Sequence, residues 1–327
     1  MNVLSVIGLI VAMFLLVFLA MKGIHVLAIA LICSIILAAT SGMNVWTVLT
    51  ENYMPGFSSF ITANFLVFLA GALFGKFMND SHAADAIANW IVKKLGASKA
   101  VLAVVLSCFV LCYGGVSVFV VGFTIFPIAI SLFKEADLPR NMLPATIGFG
   151  SITFAMTCPG TPQIQNIIPT QTLGTTTMSG AVIGIIAGIF MFIVGYIWLN
   201  QMIKKEVSKG NHFVAKEGEE TVQLSEDEMP NVGLSFVPLI VTIVLMNALK
   251  VPAAVAIFIS IVIGVVLLNK TYKPTMIAGT FAGGATSAIG AIANTSAVVG
   301  FGSVVKAIPL FQTILDAMLS IPGPALV

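Results

Sequence analysis

Long apolar stretches separated by short polar turns dominate the chain. Val3–Met21 is the first of them and contains no charged side chain; a helix needs about 20 mostly apolar residues to cross a bilayer. A turn at Lys22 leads into a second stretch at residues 24–40. Further stretches occupy residues 61–78, 101–133, 142–173, 178–199, 232–249, 252–268 and 277–305. This pattern predicts an all-α, polytopic membrane protein.

Composition agrees with a membrane setting. The 327 residues are 58% hydrophobic and 9% charged, whereas soluble proteins have about 45–50% and about 25%, so a water-soluble fold is excluded. The formal net charge of +2 is too weak and too scattered for a nucleic-acid surface. Four cysteines lie in apolar stretches without CxxC spacing, so neither a disulfide framework nor a metal site is predicted.

Charge distribution predicts the topology. Residues 204–230 hold 11 of the chain's 28 charged residues, whereas residues 141–203 hold none. We interpret residues 200–231 as a cytoplasmic linker between two membrane halves. With the N-terminus outside, 13 of the 15 Lys and Arg residues fall on the cytoplasmic side, as the positive-inside rule requires. We expect a multi-pass protein of the inner membrane.

The two halves share an order of elements. Phe74-Gly75-Lys76 and Phe301-Gly302-Ser303 each lie in a long apolar segment, and a short amphipathic one follows each, at residues 81–95 and 310–319. Their opposite orientations predict inverted-topology repeats. Residues 1–199 would be the first repeat, with scaffold helices at 1–60, and residues 232–327 the second. The first runs on for about 100 residues more than the second, so we expect a C-terminally truncated chain that does not transport alone.

One segment is too short to cross the membrane. Residues 99–113 extend about 22 Å at 1.5 Å per residue, less than the hydrocarbon thickness of about 30 Å. Gly114 and Gly115 follow, and the chain then returns to Lys134. We predict a re-entrant hairpin at residues 99–133 with Tyr113, Gly114 and Gly115 at its tip. Two full spans would also return to the same side and remain the alternative.

A second segment, residues 142–173, is interrupted by Cys158-Pro159-Gly160-Thr161-Pro162. Two prolines and a glycine end a helix, and Thr161 resembles an N-cap with Pro162 at the first helical position. A helix that starts inside a membrane presents unpaired N–H groups and a positive dipole end, which suit a carboxylate. A proline kink satisfied by neighbouring helices is the alternative. The predicted substrate site comprises Tyr113, Gly114, Gly115, Thr157, Gly160, Thr161, Gln163 and Asn166.

Residues 68–172 resemble the gluconate permease family of the ion transporter superfamily. The resemblance lies in the helix at 71–76, the amphipathic helix, the turn at 113–118 and the Pro-Gly segment at 151–163. It implies an elevator-type transporter of gluconate or related hydroxy or keto acids, usually with protons. Where the family commonly shows His-Pro-Gly-Pro, this chain has Cys158-Pro159-Gly160-Thr161-Pro162, which leaves hydroxybutyrate or a citrate-like acid open.

We therefore predict a secondary active transporter, expected to be a homo-oligomer, that moves a small organic anion. Asp, Glu and His lie outside the predicted spans or at their edges, with His25 in the turn that opens the second stretch, so a proton relay is not visible. A coupling H+ or Na+, held by groups such as Thr157 and Thr161 or by the missing part, is the only cofactor expected. An ion channel is the alternative, although it would need a continuous polar lining. An enzyme is not expected, because no paired nucleophile and base appears at membrane depth.

Overall fold

The computed structural model of the chain describes residues 3–215 and 228–319, and every regular element in that part is helical. The all-α prediction is confirmed. The first group of helices is joined by a tight turn at Lys22 and Gly23 and by a π-helical turn at Leu49–Tyr53. It consists of α1 (Val3–Met21), α2 (Val26–Thr40), α3 (Val45–Val48) and α4 (Met54–Asp80).

The remaining helices follow the predicted segments closely. A second π-helical turn, Phe149–Thr153, separates α8 from α9. Within residues 3–215 and 228–319, four apolar helices or helix runs have the length and composition to cross a membrane: Val3–Met21, Val45–Asp80, Ala181–Ser208 and Pro274–Ala307; the bent pair Ala83–Leu95 and Ala97–Tyr113 would be a fifth if it forms one span. The order after α4 is α5 (Ala83–Leu95), α6 (Ala100–Tyr113), α7 (Val118–Glu135), α8 (Leu143–Gly148), α9 (Phe154–Thr157), α10 (Ile164–Leu173), α11 (Ala181–Ser208), α12 (Val232–Asn247), α13 (Ala253–Leu267), α14 (Ile277–Ala307) and α15 (Pro309–Leu319).

The amphipathic helix α5 is followed by a sharp bend. Its apolar positions Ala84, Ile87, Ala88 and Ile91 are buried, as the periodicity predicts. The axes of α5 and of the segment Ala97–Tyr113 that contains α6 differ by 101°. Such a near-perpendicular angle is expected where one helix lies along the membrane surface and the next segment turns into the membrane.

The chain divides into two compact units that do not follow the order of the predicted repeats. One contains Val67–Ala288. Its core joins the C-terminal part of α4 to α5, α6, α7, α12 and α13. Phe77 of α4 is fully buried, and its ring meets that of Tyr272 edge to face at 5.0 Å. The second half of the chain therefore supplies helices that cover the end of α4.

The other unit contains Met1–Leu66 and Ile289–Val327. Here α1 and α2 form an apolar hairpin, and Cys33 donates its S–H to the carbonyl of Ala12 at 3.3 Å. Their core includes Phe301 and Val304 of α14. In α15, Leu310 is buried and Leu315 is exposed. The helical period also places Ile314 and Met318 on the apolar face of this segment, but their side chains lie outside the described residues.

The predicted linker begins later than position 200. Helix α11 continues to Ser208, and the segment after it is anchored rather than free. Phe213 N–H donates to Asp137 Oδ1 at 3.2 Å, and His212 Nδ1 lies 2.8 Å from Asp137 Oδ2. The hydrogen bond from the Phe213 N–H, and then the hydrogen bond with the His212 side chain, hold the pKa of the Asp137 carboxyl below its usual range. Residues 216–227 of the predicted linker lie outside the described residues.

This anchor generates a pH-dependence. Because the Asp137 carboxyl has a lower pKa in the folded protein, the contact is fully formed above the unfolded value of about 3.9 and is lost as the pH falls through the lower, folded pKa. Amide exchange of Phe213 should therefore be protected at pH 5–7, and Asp137→Ala should raise its rate several-fold. Asp316→Ala, which removes an exposed carboxylate from α15, should leave that rate unchanged. Equal protection in Asp137→Ala would contradict the anchor.

Candidate functional site

The hairpin tip is a tight turn between α6 and α7. Helix α6 ends at Tyr113, and Gly115 has a φ of +105°, which side-chain-bearing residues rarely adopt. A Cβ on Gly115 would lie 2.7 Å from Cγ of Pro162. The predicted tip therefore packs directly against the predicted Pro-Gly break, and glycine is required both by the backbone angle and by this close approach.

The break itself confirms the predicted interruption and corrects its capping. Helix α9 ends at Thr157, Gly160 has a φ of +83°, and α10 begins at Ile164. The prediction that Thr161 caps α10 with Pro162 at its first position is wrong. The N-cap is Gln163, in extended conformation and without a side-chain capping bond. The Thr161 hydroxyl accepts from the N–H of Gln163 at 3.4 Å, but this bond lies before the first helical residue, Ile164.

Three side chains join the tip to the break. Tyr113 donates its hydroxyl to the carbonyl of Pro159 at 3.0 Å, and Thr161 donates to the carbonyl of Tyr113 at 3.0 Å. Gln163 Nε2 donates to the carbonyls of Cys112 at 2.7 Å and Val116 at 3.1 Å. These carbonyls lie where helices end or turn, and such groups lack a partner within their own helix; that of Cys112 also accepts from the N–H of Gly115 at 3.0 Å. The network pairs them with groups of the protein.

The predicted site residues thus differ in their surroundings. Thr161 is fully buried and Gln163 is 9% exposed, so both are enclosed by the tip. Asn166 is half-buried and donates through Nδ2 to the carbonyl of Cys158 at 2.9 Å, which leaves one of its two amide N–H groups for another acceptor. Thr157 lies apart from this network, donating to the carbonyl of Thr153 at 2.9 Å and contacting Met191 of α11.

The first turn of α10 is the most accessible part of the site. Its N-cap side chain makes no capping bond, so the N–H groups of Ile164 and Gln165 have no partner within the helix. Gln165 is exposed. The positive end of the α10 dipole lies at the same N-terminus as these N–H groups, so this end of the helix favours negative charge.

Two residues that the sequence did not single out complete the break. Asn247, at the end of α12, donates through Nδ2 to the carbonyl of Gly160 at 2.7 Å and accepts from the hydroxyl of Thr177 at 2.8 Å. Gly160 N–H donates to the carbonyl of Thr177 at 2.9 Å. An asparagine near the end of an apolar span is the signal that could have identified Asn247, but its partners lie 70 and 87 positions away.

An apolar, all-helical chain in which a short helical hairpin packs against a broken helix is typical of multi-pass membrane proteins. The chain belongs to the GntP family of permeases: the family model described as GntP family permease matches residues 3–254. This confirms the family resemblance of the sequence.

Curated relatives agree with this class. The chain is 36% identical over 239 residues to the Bacillus subtilis (strain 168) protein named "Uncharacterized transporter YxjC", covering 70% of this chain and 51% of that one. Two Haemophilus influenzae (strain ATCC 51907 / DSM 11121 / KW20 / Rd) proteins are similar as well. An "Uncharacterized transporter" is 29% identical (60% and 45% covered), and an "Uncharacterized permease" is 27% identical (74% and 50%). The chain spans about half the length of the curated relatives it matches.

Replacing Asn247 tests how the break is held. Asn247→Leu removes the donor to the Gly160 carbonyl and the acceptor for Thr177. It should lower the free energy of unfolding by about 1–2 kcal/mol, because buried polar groups lose their partners. Chemical unfolding in detergent measures this, and cysteine accessibility at position 177 should rise as the Thr177 segment loosens.

Thr242→Val is the matched control on α12. The Thr242 hydroxyl is buried and donates to the carbonyl of Pro238, one turn back on its own helix. Its loss should change stability less than that of Asn247 and should leave accessibility at position 177 unchanged. If Asn247→Leu and Thr242→Val had equal effects on both measures, Asn247 would not be holding the break.

Proposed function

We propose that this protein is a secondary active transporter of the inner membrane that carries a small organic anion, such as gluconate or a related hydroxy or keto acid, coupled to H+ or Na+. The packing of the hairpin tip on the Pro-Gly break carries the proposal. Non-helical backbone at membrane depth is tolerated where it is enclosed by protein or lines a cavity, and transporters place their substrate at such discontinuous helices.

The proposed carboxylate position is the first turn of α10. The N–H groups of Ile164 and Gln165 and the remaining amide N–H of Asn166 are the donors it would use. A helix N-terminus contributes about 0.3–1 kcal/mol to an exposed anion and up to about 2 kcal/mol in partly buried geometry. Tyr113, Thr161 and Gln163 would act as positioning residues, because their donors already bind backbone carbonyls.

The proposed inverted repeat has support within the unit Val67–Ala288. There the end of α4 packs against the start of α14: a Cβ on Gly284 would lie 3.0 Å from Leu73 Cα, and Thr280 donates its hydroxyl to Asp80 at 2.7 Å. Leu73 meets Gly284, and the later residue Asp80 meets the earlier residue Thr280. The two segments therefore run antiparallel. Corresponding helices of two repeats related by an axis in the membrane plane would have this relation.

Uptake measurements test the proposed activity. Vesicles that contain the full-length protein should accumulate radiolabelled gluconate or another small hydroxy or keto acid against its gradient, whereas vesicles that contain residues 1–327 alone should not. Ionophores that collapse the H+ or Na+ gradient should abolish this accumulation. Flux that only equilibrates the substrate would instead indicate a channel, and the absence of uptake for every small carboxylate in the panel would contradict an organic-anion transporter.

Asn166→Ala tests the proposed carboxylate position. The loss of one charge-assisted hydrogen bond should raise the dissociation constant of the transported anion about tenfold, since such bonds contribute roughly 1.5–3 kcal/mol and 1.4 kcal/mol corresponds to one decade. Direct binding to purified protein is the measurement, with the amount of folded protein checked in parallel.

Thr170→Ala provides the control on the same helix. The Thr170 hydroxyl donates to the carbonyl of Ile167, away from the first turn of α10. The dissociation constant of the transported anion for Thr170→Ala should stay within about twofold of that for the unaltered protein, a change of less than about 0.5 kcal/mol. Unchanged affinity in both variants would show that the break is a structural kink only.

The proposed topology places Lys93 in the cytoplasm and Lys306 outside. In a protein whose four native cysteines have been replaced, Lys93→Cys and Lys306→Cys should react differently with an impermeant maleimide. In intact cells only position 306 should be labelled, and permeabilisation should expose position 93. Labelling of position 93 in intact cells would reverse the topology.

A further inference from the structure

A groove of about 650 Å³ lies on the unit Val67–Ala288, away from the Pro-Gly break. Its walls are both ends of the hairpin and the last three turns of α11. Volumes between about 300 and 1,000 Å³ are typical of ligand pockets. The polar residues that line it are Ser98, Lys99, Glu135, Tyr196, Asn200, Lys204 and Ser208.

The charge of this groove favours an anion. Lys99 and Lys204 are both exposed, and neither forms an ion pair with any residue in the described ranges. Glu135 is the carboxylate of the lining, so two lysines and one glutamate give a formal charge of +1. Hydroxyl and amide groups from Ser98 and Asn200 add neutral donors.

The position of the groove along α11 places it at the level of lipid headgroups. Helix α11 has 28 residues and is about 42 Å long, whereas the hydrocarbon core is about 30 Å thick. Its exposed apolar side chains extend from Val182 to Met202, and Trp198 is 65% exposed. Tryptophan is enriched at membrane interfaces. The groove occupies the turns from Tyr196 onward, where the apolar surface ends.

We propose that this groove binds the headgroup of an anionic phospholipid. The phosphate would lie between Lys99 and Lys204, with Ser98 as a hydroxyl partner, and the acyl chains would follow the exposed apolar side of α11. Basic pockets between membrane helices bind anionic headgroups by the same combination of charge and adjacent hydrocarbon. A free anion would use the lysines but not the apolar surface.

The proposed site has a structural consequence. Both ends of the hairpin, at Lys99 and at Glu135, contribute to the groove, and α11 forms the opposite wall. A lipid that bridges Lys99 and Lys204 therefore links the base of the hairpin to α11. Binding should stabilise the folded protein, because a ligand that binds only the native state raises its stability.

Lipid-dependent melting of the purified protein in neutral detergent tests the proposal. Phosphatidylglycerol should raise the Tm, whereas phosphatidylcholine of the same chain length should not. The double substitution Lys99→Gln and Lys204→Gln should abolish the shift and weaken phosphatidylglycerol binding, measured by native mass spectrometry, by about tenfold. Equal stabilisation by phosphatidylcholine, or an undiminished shift in the double variant, would overturn the proposal.

Lys270→Gln with Lys273→Gln is the matched control, because both lysines are exposed and lie outside the groove lining. The Lys270→Gln and Lys273→Gln variant should keep the full rise in Tm with phosphatidylglycerol. Loss of the rise in this variant would indicate a non-specific effect of net charge and would overturn the proposal. Inorganic phosphate alone should not reproduce the shift; if it did, the groove would bind a free anion instead of a lipid. Binding to the unaltered protein should weaken as ionic strength rises, and salt-independent binding would also overturn the proposal, even if the double variant failed to fold.

Discussion

The need to pair backbone groups at helix breaks determines how this protein is built. Lipid offers no hydrogen bonds, so each interrupted helix must find partners within the protein. Gln163 meets this constraint with one side chain: its amide donates to the carbonyls of Cys112 and Val116, on either side of the hairpin turn. Two breaks that would each be unfavourable alone thereby satisfy one another. The close contact of Gly115 with Pro162 follows from this pairing.

The same constraint extends into the second half of the chain. The carbonyl of Gly160 accepts from Asn247 of α12, and Asn247 in turn accepts from Thr177. On its other side the break is closely approached by α11, where a Cβ on Gly184 would lie 3.0 Å from Pro159. The break is therefore held by the hairpin, α11 and α12 together, and a change in any of these three elements alters the first turn of α10.

Local signals in the sequence predicted most of the helices and both breaks. Apolar length located α1, α12 and α14 within a few residues, and Pro159, Gly160 and Pro162 identified the interruption, because these residue types act through their own backbone geometry. The cap at Thr161 was mispredicted because the backbone stays extended through Gln163 and α10 begins only at Ile164, although the Thr161 hydroxyl accepts from the N–H of Gln163 as well as donating to the distant carbonyl of Tyr113. Asn247 could not be assigned a role, since its bond to Gly160 spans 87 positions and leaves no periodic pattern.

The proposed site would bind an anion without a charged side chain from the broken helix, since residues 141–203 contain none. Its affinity must come from the α10 dipole and a few neutral donors. Up to about 2 kcal/mol from the helix end and roughly 1.5–3 kcal/mol for each of one or two hydrogen bonds correspond to dissociation constants in the micromolar to millimolar range. A buried lysine or arginine would bind the carboxylate more tightly but would slow its release. Neutral donors at a helix break therefore suit a protein that must release its substrate in every cycle.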